Sequence, residues 1–184
     1  MTEPTLDRRA VTAELLADRG DLLVVAGLGA PNWDVTAAGD HPLSFPLWGA
    51  MGGAAMVGLG LALAQPNKRV LVITGDGEQL MGLTALATIG AAAPPNLAIA
   101  VLDNERYGET GMQATHTAAG VDLAKVALAC GFRSARQVRT SGALAGLRFF
   151  FSWLVKAGVL LVDPLVHLPN PRAPQRLPRV LRVG

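Results

Sequence analysis

Two apolar runs without alternation, Leu22-Leu23-Val24-Val25-Ala26 and Val70-Leu71-Val72-Ile73-Thr74, run into Gly27 and into Gly75-Asp76-Gly77. That is the pattern of strands buried on both faces. A third run, Leu97-Ala98-Ile99-Ala100-Val101-Leu102, ends in Asp103-Asn104. Between them lie helical patterns over residues 6–19, about 51–64 and about 78–91, the last stopped by Pro94-Pro95-Asn96. Further along, the pattern predicts a short helix near 122–130, a strand around 134–138, a helix near 141–156 and a strand over 159–162. Such alternation predicts an α/β fold, a parallel sheet with helices on both faces. In such folds functional groups gather at the carboxyl ends of strands, where residues 27–34, 75–78 and 103–111 fall. Residues 1–168 read as one domain. Residues 169–184 read as a Pro- and Arg-rich tail, unable to form a regular helix or inner strand because each proline lacks an amide donor.

Composition narrows the class. The chain has 184 residues, 51% of them hydrophobic, with a mean hydropathy of +0.35. A chain of this length buries roughly 70% of its unfolded surface and needs neither disulfides nor a structural metal. Its single cysteine, Cys130, excludes an internal disulfide framework and a cysteine-based zinc site, and fits a reducing cytoplasm. The first nine residues lack the apolar stretch of a signal peptide. Residues 42–67 carry no charge, but Pro42, Pro46 and glycines 49, 52, 53, 58 and 60 point to a buried loop and a closely packed helix rather than a membrane span. Charge is unevenly placed. Residues 1–132 hold seven basic and thirteen acidic side chains, a net of −6, whereas residues 133–184 hold nine basic and one acidic, a net of +8. With little aromatic interleaving, the basic end suits an acidic protein surface better than nucleic acid.

Gly75-Asp76-Gly77 follows one buried strand and opens a helix, so its backbone N–H groups can meet an anion while Asp76 stands at the strand tip. Twenty-five residues then separate Gly77 from Asp103-Asn104, enough for one helix and one strand, which brings two adjacent strand ends together. One carboxylate, one amide oxygen and a nearby carbonyl are hard ligands of low charge, suited to Mg²⁺ that completes its shell with phosphate oxygens and water. These residues resemble the cofactor-binding signature of the thiamine-diphosphate enzymes. A second block agrees with it: Phe45-Pro46-Leu47-Trp48-Gly49-Ala50-Met51-Gly52-Gly53 and the following helix are similar to the segment by which that family holds the aminopyrimidine. The similarity runs from about Leu22 to Thr117.

The resemblance implies a role for each matching position. Asp76, the Asn104 side chain and the main-chain carbonyl of Arg106 would ligate Mg²⁺. Gly75, Gly77 and Glu78 would receive the diphosphate, with the Glu78 carboxylate turned away from it. Met51 would prop the cofactor into its bent shape, the Gly49 carbonyl would accept from its 4′-amino group, and Tyr107 and Gly108 would lie beside it. Within the family, residues 103–117 and Leu86-Ala87-Thr88-Ile89-Gly90 are closest to the sulfopyruvate and phosphonopyruvate decarboxylases, in the first of which this domain is a separate short subunit.

The expected activity is therefore decarboxylation of a small 2-oxoacid, the chain being one subunit of a heteromer. In this family the activating Glu comes from a pyrimidine-binding domain that does not fit in these residues, so a partner subunit is expected to supply it. Carboligation of the acetolactate synthase type, 2-oxoacid oxidation and an inactive regulatory relative are the alternatives. His116, after a Gly-rich loop, and Gln113 are candidates for proton transfer, an unperturbed histidine having a pKa near 6.5; the other reading of His116 is a loop residue hydrogen-bonded to Gln113 or to a partner's backbone. Asn32-Trp33-Asp34 stands where the decarboxylases usually show Ser-Arg-Glu, which leaves room for a flatter or more apolar 2-oxoacid than a sulfonate or phosphonate.

Overall fold

A computed structural model describes residues 6–140. The expected helix at 141–156, strand at 159–162 and tail at 169–184 lie outside the described residues. The elements follow in the order α1 (Arg8–Leu16), β1 (Leu23–Ala26), α2 (Ala30–Ala37), β2 (Ser44–Pro46), α3 (Ala54–Ala64), β3 (Val70–Gly75), α4 (Asp76–Met81), α5 (Leu83–Ala92), β4 (Leu97–Leu102), β5 (Arg106–Tyr107), β6 (Gln113–Ala114) and α6 (Leu123–Ala129). Strands β2-β1-β3-β4 form a parallel sheet in that order, and β5 and β6 form a small antiparallel hairpin.

Because side chains alternate across a strand, each apolar run supplies two cores. Val24, Ala26, Leu71 and Ile73, with Ala98, Ala100 and Leu102 beside them, pack against Leu15 and Leu16 of α1 and Val35 of α2. On the other face Val25, Val72, Leu97 and Ile99 pack against Ala54, Ala55 and Leu59 of α3 and Ala85 and Ile89 of α5. Helices thus cover both faces. The close packing of α3 is set by Gly58, whose added Cβ would stand 2.3 Å from a Val72 methyl.

Several expected bounds change. The helix expected at about 51–64 starts only at Ala54, because Ala50 and Gly52 hold positive φ. The helix expected at about 78–91 is two helices, α4 and α5, broken at Gly82, where the Gly52 carbonyl comes so close that a Cβ would lie 2.0 Å from it. The strand expected at 134–138 is absent, and that stretch has no regular structure. Its polar side chains leave only Ala135 and Val138 half-buried, too little apolar surface to hold a strand. Short α2 and β2 were not foreseen. They are fixed from a distance: Asn32 Nδ2 donates to the Leu47 carbonyl at 2.8 Å, and the Arg19 guanidinium donates to Ser44 Oγ and to the Leu22 and Leu43 carbonyls. Partial burial of the guanidinium pulls the Arg19 pKa down. No described helix is long and apolar enough to cross a membrane.

Candidate functional site

The strand ends meet as the spacing predicts. Gly75 and Leu102 are register partners across β3 and β4, so Asp76 and Asp103 leave the sheet side by side. Asp76 opens α4 and is 2% exposed. Thr115 Oγ1 donates to its Oδ2 at 2.6 Å, and Thr117 Oγ1 approaches the same oxygen at 3.3 Å. Thr117 Oγ1 also donates to Asp103 Oδ1 at 2.8 Å, and the two hydroxyl oxygens lie 2.8 Å apart. Both threonines are buried. Neither was anticipated from the sequence as part of the site; their only signal was the alternation Thr115-His116-Thr117, which turns both hydroxyls inward and His116 out to solvent.

The turn after β3 is bare on its outer side. A Cβ on Gly75 would meet nothing within 4 Å, whereas on Gly77 it would stand 2.6 Å from the Tyr107 ring, so hairpin β5–β6 rests directly on the opening turn of α4. Glu78, the next residue, is buried and turned away from this surface. Its Oε1 accepts from the Ala54 N–H at 3.1 Å and its Oε2 from the Thr74 hydroxyl, so the carboxylate caps the start of α3. Asn104 is exposed, and its Oδ1 accepts from the Arg106 N–H at 3.0 Å, a local turn that leads into β5. Arg106 pairs with Ala114, and the Thr115 N–H donates to the Glu105 carbonyl at 3.0 Å, closing the hairpin base.

Loop 49–53 approaches from the other side. Gly52 packs on Met81 and Gly82, so the loop abuts the α4–α5 junction while Glu78 ties α4 to the start of α3. Met51, in this loop, is 64% exposed, and Gly49 has open space where a side chain would be. Of the triplet after β1, Asn32 and Asp34 are fully buried, Asp34 paired with Arg8 at 2.9 Å and Arg9 at 3.5 Å. Trp33 alone of the three faces outward, its ring edge-on to Trp48 with centroids 5.0 Å apart. Gln113 turns its amide to Thr110, accepting from the hydroxyl and donating to the carbonyl, so the expected contact with His116 is not made. The His116 carbonyl accepts from Ala119 and Val121, and its imidazole is exposed.

Among the described residues no group of three or more His, Cys, Asp or Glu comes together. The oxygens around Asp76 are carboxylate, hydroxyl and carbonyl oxygens, all hard donors. That donor set suits Mg²⁺ bound together with a phosphate and suits a soft transition metal poorly.

Comparison with known proteins bears on the same region. Residues 33–149 match the family described as thiamine pyrophosphate enzyme, C-terminal TPP binding domain. The chain is 45% identical over 116 residues to sulfopyruvate decarboxylase subunit beta of Methanothermobacter thermautotrophicus, covering 63% of this chain and 62% of that one. It is 43% identical over 148 residues to phosphonopyruvate decarboxylase of Streptomyces hygroscopicus, covering 79% of this chain and 34% of that one. It thus spans about three fifths of the one relative and a third of the other. Among solved structures, benzoylformate decarboxylase of Polynucleobacter necessarius superposes with a TM-score of 0.68 at 19% identity, over 82% of this chain and 32% of that one, which shows a shared fold.

Proposed function

Since this chain belongs to the thiamine pyrophosphate enzymes, by way of their C-terminal TPP binding domain, we propose that it is the diphosphate-binding subunit of a heteromeric, Mg²⁺-dependent 2-oxoacid decarboxylase of the sulfopyruvate and phosphonopyruvate type. The observation that carries this reading is Asp76, a buried carboxylate held by hydroxyls at the end of β3, beside Asp103-Asn104 at the end of β4. Asp76, the Asn104 side chain and the Arg106 carbonyl hold the Mg²⁺. Gly75 leaves room for the diphosphate, and Gly77 and Glu78 offer it backbone N–H groups. The Glu78 carboxylate, spent on Ala54 and Thr74, does not repel it.

Met51 and the Gly49 carbonyl hold the aminopyrimidine end, while Tyr107, seated on Gly77, and Gly108 flank the middle. Bound thiamine diphosphate supplies a carbon nucleophile for the 2-oxoacid carbonyl and an electron sink as CO₂ departs. His116, exposed beside the hairpin, and Gln113 are the chain's own groups for proton transfer at the substrate. The Glu that activates the pyrimidine comes from a separate pyrimidine-binding subunit, a reading supported by the name subunit beta of one relative. Exposed Met51, Met81, Trp33 and Trp48 around the loop give that subunit an apolar surface to cover. With its single cysteine, this chain suits the reducing cytoplasm. The sulfonate or phosphonate of the relatives' substrates would have to be met without an arginine at position 33. The outward Trp33 therefore favours a second reading of the substrate, a flatter or more apolar 2-oxoacid.

Asp76→Asn and Asp76→Ala test the assignment. Titration of thiamine diphosphate in the presence of Mg²⁺ is expected to show saturable binding to the unaltered protein and none to either variant. Unchanged affinity in a folded Asp76→Ala protein contradicts the assigned site.

A further inference from the structure

We infer that Thr115 and Thr117 are positioning residues for the cation site: their hydroxyls hold the Asp76 carboxylate in a ligating orientation and lock it to the hairpin that carries Arg106. This rests on the function proposed above. A carboxylate beside the sheet end has free torsions, and a cation selects only those orientations that aim an oxygen at it. Here Thr115 donates to Oδ2, while Thr117, whose proton goes to Asp103, packs its oxygen 2.8 Å from that of Thr115 and 3.3 Å from Oδ2; Oδ1 takes no hydroxyl bond. The 2.6 Å contact from Thr115 lies in the range of a hydrogen bond to an ionised oxygen.

The hydroxyls also join what a cation would bring together. Thr117 reaches Asp103 Oδ1, one residue before Asn104, so the ends of β3 and β4 share one polar contact. Thr115 adjoins Ala114, the register partner of Arg106, and closes the hairpin base through the Glu105 carbonyl. One residue thus fixes the carboxylate and sets the strand bearing the Arg106 carbonyl. Burial of both threonines keeps water from competing for these bonds. Partners that orient metal ligands typically change metal affinity by about 10–100-fold when removed.

The test uses Mn²⁺ as probe with thiamine diphosphate present, free Mn²⁺ being read by electron paramagnetic resonance. The protein is the full chain, isolated with any subunits that accompany it. Thr115→Val keeps the shape and removes the hydroxyl, and is expected to weaken Mn²⁺ binding by about tenfold or more. Thr115→Ser restores the hydroxyl without the methyl, and is expected to recover most of that affinity. Thr117→Val is expected to weaken binding less, its proton going to Asp103 rather than to Asp76, and carries the comparison should Thr115→Val fail to fold. A folded Thr115→Val protein that binds Mn²⁺ like the unaltered chain overturns the inference, as does a Ser variant as weak as the Val variant. Absence of Mn²⁺ binding by the unaltered protein overturns the proposed function itself, and the inference with it.

Discussion

Glu78 is the side chain whose setting most constrains the site. In the turn that would meet a diphosphate, a free carboxylate would oppose the ligand. The chain uses this one to close the N–H of Ala54 and the hydroxyl of Thr74, both buried. Gly27 makes room for the arrangement, since a Cβ there would stand 2.5 Å from the Thr74 hydroxyl. Glu78→Gln is therefore expected to destabilise the fold by about 1–3 kcal/mol, because it removes the charge from a buried cap and obliges the Thr74 hydroxyl to accept instead of donate, and a denaturant melt checks this. Its effect on cofactor affinity is expected to be smaller than that of Asp76→Ala. At this scale the meeting of Asp76 with Asp103-Asn104 was legible, because parallel register brings the two strand ends together; Met51 was named only through the family resemblance. Thr115 and Thr117 were not, because their bonds to Asp76 span 39 and 41 residues and depend on how a short hairpin folds back.

Among the elements, the break between α4 and α5 couples the two halves of the proposed cofactor site. The Gly52 backbone occupies the space of a Gly82 side chain, so Gly82→Ala pushes the loop bearing Met51 away from α4. The expected results are a stability loss of about 1–3 kcal/mol and weaker thiamine diphosphate binding, read by thermal melting and titration. Asn96 makes a comparable joint at the opposite end of the sheet. Its buried Nδ2 lies within 3.0 Å of the carbonyls of Ala62, Gln65 and Lys68, the turn between α3 and β3. Asn96→Ala removes the side-chain donor from those carbonyls, leaving Gln65 only its bond from the Lys68 N–H, and is expected to cost about 2 kcal/mol without touching cofactor affinity. Nearby, the hydrogen bond from Lys68 holds the Asp21 carboxyl below its usual pKa. Its contribution is present above the ordinary carboxylate pKa and fades as pH falls through the lowered value. Asp21→Asn should flatten that acidic limb of the stability curve slightly, the pair being exposed. The long apolar strands β1, β3 and β4 were legible from their runs. Short α2 and β2 were not, because bonds between segments distant in sequence fix them: buried Asn32 of α2 donates to the Leu47 carbonyl after β2, and half-buried Arg19 donates to Ser44 of β2.

Across the described residues, helices cover both faces of the parallel sheet, and large apolar side chains near the carboxyl ends of its strands stay exposed. Trp33 and Trp48 are each 56% exposed there, and Met51 and Met81 stand beside them, an uneconomical surface unless something covers it. The proposed activity needs a carboxylate for the pyrimidine, and the account assigns both the cover and the carboxylate to one partner subunit. Native mass spectrometry of the protein isolated with its natural associates tests this most directly, with small molecules identified in the same spectrum. The expected result is an assembly of this chain with a second, different polypeptide, retaining thiamine diphosphate and Mg²⁺. A homo-oligomer, or the chain alone, carrying no thiamine diphosphate would contradict it.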